Sequence, residues 1–445
     1  MRVIIVGGVA AGMSAAAKAN RMLKDAQVVV YEMGDTVSWG ACGLPYFVGG
    51  FFDEASNMIA RPVEKFRETG VDVQILHEVT GVDAERKTLT VKNLETGETF
   101  EDNYDKLMIA SGASAIIPPI KNVKQENVFT LKSLEDGIRV KEAINKDEVE
   151  EIVVIGAGYI GVETVEAAHH LGKKVRLIQL DARVLPDSFD KEITDVMEEE
   201  LRSYDGVELH LEEMVTELTG EGRVTGVKTN KGEYKADMVV ISTGVKPNTS
   251  FLAGTGIEMI GNGAIIIDEM GKTNIEDIYS AGDCATVPHR LKDKPAYIPL
   301  ATTANKIGRI VGENLAGAEN KFPGTLGSAC VKVMSMEAGR TGLSEAEAEK
   351  MGINYKTKTI KDKNQTNYYP GQEDIWVKLI YDADTKVILG GQMIGKNGAV
   401  LRVDTIATAI HTGMKTNELG MLDLCYAPPF ARTWDVLNVA GNVSK

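Results

Sequence analysis

The sequence predicts an α/β fold of two strand–turn–helix–strand modules followed by an α+β unit, and three observations predict it. A strand, a glycine-rich turn, a helix and a second strand open the chain, and the same pattern returns at residue 151. From about Pro323 the texture changes to a strand, a capped helix and an antiparallel hairpin. At 445 residues the chain exceeds one ordinary core, so two to four domains are expected.

The first module begins with the apolar run "VIIVGGVAAG" and passes into the alanine-rich, helix-favouring "MSAAAKANRMLK". The strand "AQVVVYE" follows and ends on an acid, Glu32. The second module is "EIVVIGAGYIGVETVEAAHHLGKKVRLIQL", in which Gly172 stops an amphipathic helix. "YDKLMIASGASAIIPPI" and "ADMVVISTGVKPNTS" each read as a strand ending in a glycine turn with prolines behind it, where the chain is expected to cross between modules. "TNIEDIYSAGDCA" is a short strand ending in Ala-Gly-Asp. "LSEAEAEKMG" and "DIWVKLIYDADTKVILGGQMIG" supply the capped helix and hairpin of the last unit.

Composition narrows the function classes. The 49 basic and 64 acidic residues leave a net charge of −15, which argues against broad nucleic-acid or anionic-membrane binding. No apolar run is long enough to span a bilayer. "MRVIIVGG" enters a strand with no signal-peptide layout, so a cytoplasmic location is expected. The cysteines Cys42, Cys284, Cys330 and Cys425 form no C-x-x-C pair. No Cys/His cluster has metal-ligand spacing, so no metal is expected, and the six histidines suggest no catalytic pairing. Scattered cytosolic cysteines are more often inert or catalytic thiols than structural bridges.

Two loops carry the clearest chemistry. In "GAGYIG", Gly156, Gly158 and Gly161 have the full G-x-G-x-x-G spacing: a tight turn, a close approach to a pyrophosphate, and packing of helix on strand. The helix start then offers N–H groups to phosphates. "GGVAAG" holds Gly7 and Gly12 but has Val9 in the middle slot. Glu32 restores the signal, because an acid at that strand end accepts a bond from a ribose hydroxyl. The corresponding residue of the second module is Gln179, with Asp181 just beyond. No acid there repels a 2′-phosphate and no arginine cluster welcomes one, so NADH and NADPH stay open and Arg183 can favour either.

In order, the Glu32 loop, "YDKLMIASG", "GAGYIG", "STGVKPN" and "YSAGD" resemble the flavoprotein disulfide reductase superfamily along essentially the whole chain. The resemblance implies two Rossmann-like dinucleotide-binding modules, the second inserted in the first, and a C-terminal dimerisation domain. It implies FAD in residues 1–118 and 248–322, with contacts at Gly7, Gly8, Gly12, Glu32 and Ser38, then Ser111, Gly112, Gly282, Asp283 and Ala301. It implies NADH or NADPH in residues 119–247, at Gly156, Gly158, Gly161, Ile160, Gln179 and Gly244, with Tyr159 as a gate and Glu163 orienting the nicotinamide. Residues 323–445 would form a homodimer interface.

Most members of that superfamily carry a cysteine pair. "GACGLPYFVGG" has Cys42 alone and resembles the single-cysteine branch: coenzyme A disulfide reductases, NADH oxidases, NADH peroxidases and NAD(P)H-dependent per- or polysulfide reductases. The peroxide- and oxygen-reducing members carry a histidine two residues before the last glycine of the first loop, where this chain has Ala10. "NQTNYYPG" and "YAPPF" are similar to stretches of coenzyme A disulfide reductases in which a tyrosine from each reaches over the partner subunit's cysteine. Tyr368 and Tyr426 match them, although Phe430 stands where a tyrosine is often found; the alternative for each tyrosine is a packing role.

The expected chemistry follows. Cys42 attacks a disulfide as thiolate, favoured by a helix beginning after it in "ACGLPYF", with Gly43 leaving room for the substrate sulfur. Coenzyme A is held as a mixed disulfide, and Tyr368 and Tyr426 protonate or steady the leaving sulfur. Arg21 would meet coenzyme A phosphates or be a solvated charge. Cys284 is expected to pack beside the flavin, Cys330 to lie in a core, and Cys425 to have no resolving role. The alternatives are an NADH oxidase working through a Cys42 sulfenic acid and a flavoprotein electron-transfer or redox-sensing module.

Overall fold

Apolar runs flanked by glycine turns become parallel strands, and the structure, a computed structural model describing residues 1–445, divides into two compact units. The first comprises residues 1–44, 52–116 and 245–325; the second comprises 45–51, 117–244 and 326–445. The second βαβ module and the C-terminal domain, expected as separate bodies, share one unit, and the seven residues after Leu44 join it.

In the first unit, β1 (Arg2–Val6) is the central strand of a five-stranded parallel sheet. It pairs with β2 (Gln27–Tyr31) on one side and with Lys106–Ile109 on the other, and Ile278–Ser280 extends that second edge. Val3, Ile4 and Ile5 are fully buried, as parallel sheets covered on both faces require. The helix α1 (Ala10–Met22) packs along the helix Ala301–Leu315 through small residues. A Cβ on Gly308 would stand 2.4 Å from the Ala11 carbonyl oxygen, and one on Gly312 2.5 Å from that of Ala15. Both numbers rise together, so the helices run parallel; Lys18 and Glu313 close the seam at 2.9 Å.

The second unit repeats the first plan. Its central strand, Glu151–Ile155, pairs in parallel with Lys174–Ile178 and with Met238–Ile241. Each unit also carries a three-stranded antiparallel sheet. The C-terminal region adds a five-stranded antiparallel sheet whose edge strand, Tyr355–Lys363, carries four lysines that blunt it against edge-to-edge pairing. Ser344 and Glu347 form a reciprocal cap on the helix Glu345–Lys350, the cap expected from "SEAE".

Side chains weld this sheet to the module before it. Lys378 is fully buried, with Nζ 2.6 Å from Glu192 and 3.3 Å from Asp190, and it also bonds Glu345. Burial pulls its ammonium pKa down, but the carboxylates outweigh burial and hold it above its usual value. Arg340 donates to the Ser188 carbonyl at 2.9 Å and to Glu347 at 3.0 Å. No helix is long and apolar enough to cross a membrane.

Candidate functional site

The three glycines of the second loop each have a distinct steric reason. Gly156 has φ +100°, and a Cβ on it would lie 2.6 Å from the Ser242 carbonyl oxygen. One on Gly161 would lie 1.9 Å from the Gly156 carbonyl oxygen, so helix and turn touch there. A Cβ on Gly158 would meet nothing within 4 Å: the space before it is open, as a closely approaching pyrophosphate needs. Ile160 follows in the first turn of the helix Tyr159–His170, and that turn has no capping side chain and no acid. Its N–H groups therefore face outward unanswered, the arrangement that accepts phosphate.

The first loop repeats this geometry. A Cβ on Gly7 would lie 2.1 Å from the Ala110 carbonyl oxygen, and one on Gly12 1.8 Å from that of Gly7. Gly8 donates to Glu32 Oε2 at 2.6 Å and Gly34 to Oε1 at 2.7 Å, with a further backbone bond from Met33, so the buried carboxylate is oriented. Burial nonetheless holds the Glu32 carboxyl above the usual range. Ser38, with φ +51°, donates its N–H to the Gly8 carbonyl at 2.9 Å. Gly282 (φ +87°) packs against Ala11 and turns the chain into Asp283. The uncapped start of the helix at Ala301 lies at the end where α1 begins. Ser111 donates to the Asn248 carbonyl at 2.7 Å, and Asn248 donates to the Gly112 carbonyl at 2.9 Å, closing the return of the chain into this unit. Two uncapped helix starts at the same end of parallel helices, a glycine cradle and an oriented acid fit an anionic dinucleotide such as FAD.

At the end of the second module's central pair, Gln179 does the task of Glu32. Its Oε1 accepts from the Ala157 N–H at 2.9 Å and its Nε2 donates to Asp181 Oδ2 at 2.8 Å. Arg183 is engaged by Asp195 and by Glu198, the latter at 3.5 Å. Gly244 (φ +105°) ends the second unit's share of this region.

Cys42 is exposed and in no disulfide. It lies within the short turn Ala41–Gly43 that leads into α2 (Leu44–Val48), so the expected helix begins two residues after the thiol. A Cβ on Gly43 would meet Met58 at 3.0 Å, so this glycine makes room for a methionine side chain. Four residues after Cys42, the Tyr46 hydroxyl donates to Glu163 Oε1 at 3.1 Å within the second unit. Burial, with Glu166 adding, pushes the Glu163 carboxyl up to about 7 against the pull of Tyr46. Tyr159 is pushed up by burial and bonded to Ser188, whose carbonyl Arg340 holds.

Tyr368 and Tyr426 come together. Their hydroxyls stand 2.8 Å apart across 58 residues of sequence, and the side chains are 69% and 44% exposed. The pairing holds the Tyr368 phenol above its usual pKa. Arg21 is exposed in the last turn of α1, away from the glycine loop. Cys284 is buried, and burial raises its thiol pKa. Cys330, expected in a core, is exposed: in its strand Val331 and Val333 face inward, and the two-residue period turns Cys330 out. Sequence reasoning passed over Tyr46, whose signal was its place one turn beyond Cys42.

A family model described as pyridine nucleotide-disulphide oxidoreductase matches residues 1–308, and the dimerisation domain of the same family matches residues 328–436. An NAD(P)H coenzyme A polysulfide/persulfide reductase of Pyrococcus horikoshii is 40% identical over all of this chain and 98% of its own. An NADH oxidase of Enterococcus faecalis is 34% identical over 99% of this chain and 98% of its own. A coenzyme A disulfide reductase of Staphylococcus aureus is 30% identical over the full length of both. The solved structure of an NAD-dependent persulfide reductase from A. fulgidus superposes with a TM-score of 0.95 at 35% identity, over all of this chain and 83% of its own.

Proposed function

The chain belongs to the pyridine nucleotide-disulphide oxidoreductase family, and on that premise we propose that it reduces coenzyme A disulfide, or related coenzyme A per- and polysulfides, through the single thiol of Cys42. FAD would sit on the Gly7–Gly12 loop and Glu32, and NADH or NADPH on the Gly156–Gly161 loop. The working form is a homodimer in which the tyrosine pair of one subunit serves Cys42 of the other. The observation that carries this reading is the hydroxyl pair of Tyr368 and Tyr426, held at 2.8 Å on an exposed surface. An electron-transfer module has no use for two phenols so placed.

Cys42 attacks as thiolate; its bond to one coenzyme A sulfur forms as the substrate S–S bond breaks, and the other coenzyme A leaves as thiolate. A phenol raised above its usual value of about 10 is a weaker acid than a thiol of about 8.5. The pair therefore steadies the departing thiolate by donating a hydrogen bond, and solvent completes the protonation. Bound FAD would supply two electrons, taken from NAD(P)H, that reopen the mixed disulfide on Cys42. Tyr46 orients Glu163 beside the nucleotide loop's helix.

A second reading, an NADH oxidase, draws on the Enterococcus faecalis relative. Ala10 in the first turn of α1 counts against it, since a methyl group cannot donate a proton to reduced oxygen. Mass spectrometry of the unreduced protein separates the two: a coenzyme A adduct on Cys42 is expected, whereas sulfenic or sulfinic acid there favours the oxidase. Cys42→Ser should keep FAD and its reduction by NAD(P)H while losing disulfide turnover; retained turnover refutes the mechanism.

A further inference from the structure

Tyr368 and Tyr426 sit on separate loops, and their exposed rings have little packing to fix them. The position of their hydroxyls depends on how the two loops are held to each other. Tyr368 lies on the turn between the strands Tyr355–Lys363 and Asp374–Asp382. The base of that turn is closed by Asn364, which exchanges bonds with Glu373 at 2.8 and 3.0 Å. Tyr426 lies on the stretch that runs to Asp435, the cap of the helix Val436–Val443.

One side chain reaches both loops from outside them. Arg402, in the first turn of the helix Ala399–Thr412, donates from Nη2 to the Asn364 carbonyl at 3.1 Å and to the Phe430 carbonyl at 3.0 Å. Its Nε donates to Asp435 Oδ2 at 2.9 Å and its Nη1 to the Gly398 carbonyl at 3.1 Å. Asp435 is in turn fixed by the Leu437 N–H at 2.9 Å. Thr366 adds a cross-loop bond from its hydroxyl to the Pro428 carbonyl at 3.1 Å, and Arg432, on the Tyr426 stretch, pairs with Asp362 at the end of the strand before the Tyr368 turn. The planar guanidinium thus gathers the root of the Tyr368 turn, the carbonyl four residues after Tyr426, and the next helix cap. A lysine ammonium, one point on a flexible stem, cannot span those acceptors.

We propose that Arg402 is the positioning residue of the tyrosine pair, registering the two phenols against each other for service to a partner subunit's Cys42. The inference rests on the functional reading above and adds a residue to it. A misplacement of about 1 Å in a reacting geometry can cost about 10²-fold in rate. Arg402→Met is accordingly expected to lower kcat for coenzyme A disulfide by about 10²-fold, and Arg402→Lys by about tenfold. Single-turnover reduction of bound FAD by NADH should keep its rate and its dependence on NADH concentration in both.

A differentially tagged heterodimer of Cys42→Ser and Arg402→Met tests the direction of action. It pairs an intact Cys42 with an intact tyrosine pair at one of its two sites, so it should regain about half of wild-type turnover. A heterodimer of Cys42→Ser and Tyr426→Phe is the control. Recovery in the control without recovery in the Arg402 heterodimer overturns the inference and leaves the tyrosine reading standing. Failure of both heterodimers overturns the cross-subunit reading and the inference with it. Equal loss of flavin reduction and disulfide turnover in Arg402→Lys would also overturn it, and that variant serves in both tests if Arg402→Met does not fold.

Discussion

The second nucleotide loop predicts a preference for NADH that rests on one exposed carboxylate. Gln179 answers the Ala157 N–H and turns its amide toward Asp181, so the Asp181 carboxylate is held at the strand end where the adenosine ribose of a dinucleotide bound on this loop would lie. A ribose 2′-hydroxyl can donate to it; a 2′-phosphate would bring nearly two negative charges beside it. Arg183, the nearest candidate counter-charge in sequence, is engaged by Asp195 and Glu198. At about 6 Å and the dielectric of water, that repulsion is about 1.4 kcal/mol, and partial shielding from solvent raises it to about 3 kcal/mol. The expected ratio of kcat/KM for NADH over NADPH is therefore about 10- to 100-fold. Asp181→Asn keeps the shape and the bond from Gln179 but removes the charge, and should bring the ratio down about tenfold, mostly through the KM for NADPH. Raising ionic strength from about 0.05 to about 0.5 M should shrink the wild-type ratio and leave that of Asp181→Asn nearly flat. Steady-state rates with both nucleotides at matched ionic strength read this directly. A wild-type preference for NADPH, or an unchanged ratio in Asp181→Asn, would show that the discriminating charge lies elsewhere.

Three further outcomes are expected. Glu163 titrates near 7 in the folded protein against 4.5 for the ordinary side chain, so folding favours its protonated form. Its contribution, about 3 kcal/mol, is complete below pH 4.5 and lost as pH rises through 7. Glu163→Gln should flatten the fall in urea midpoint between those pH values, and an identical fall in the variant rejects the assignment. Lys378→Met leaves Asp190, Glu192 and Glu345 facing one another without their cation and should destabilise the protein by about 3–5 kcal/mol in denaturant titrations. An unchanged midpoint would mean that water neutralises those carboxylates as well as the ammonium does. Gly161→Ala places a methyl 1.9 Å from the Gly156 carbonyl oxygen, so NADH-driven flavin reduction should collapse while FAD stays bound. Normal reduction would place the nucleotide on another loop.

What was legible in the sequence, and what was not, divides by the nature of the bond partner. The glycine spacings, Glu32 and Gln179 could be placed from sequence because a dinucleotide has a fixed shape, and a chain that holds one must present small residues and an acceptor at fixed intervals. The capped helix at Ser344 was legible for a similar reason: both members of the cap lie within four residues. The bonds that join distant segments have no such interval. Arg340 meets Ser188 across 152 residues and Lys378 meets Glu192 across 186, and these contacts gather the second module and the C-terminal sheet into one unit where three bodies were expected. Cys330 shows how little separates success from failure at this level, since a shift of one residue in strand parity decides whether a thiol lies in a core or outside it. The tyrosine pair combines both kinds of information. Each tyrosine carries a local motif, but the backbone of their two loops is bonded by Arg402, a helix residue that no pattern distinguishes. Side chains that act on backbone carbonyls read no sequence in their partners, so they leave no signature there. The residues that hold a site in register are therefore the ones a motif search passes over.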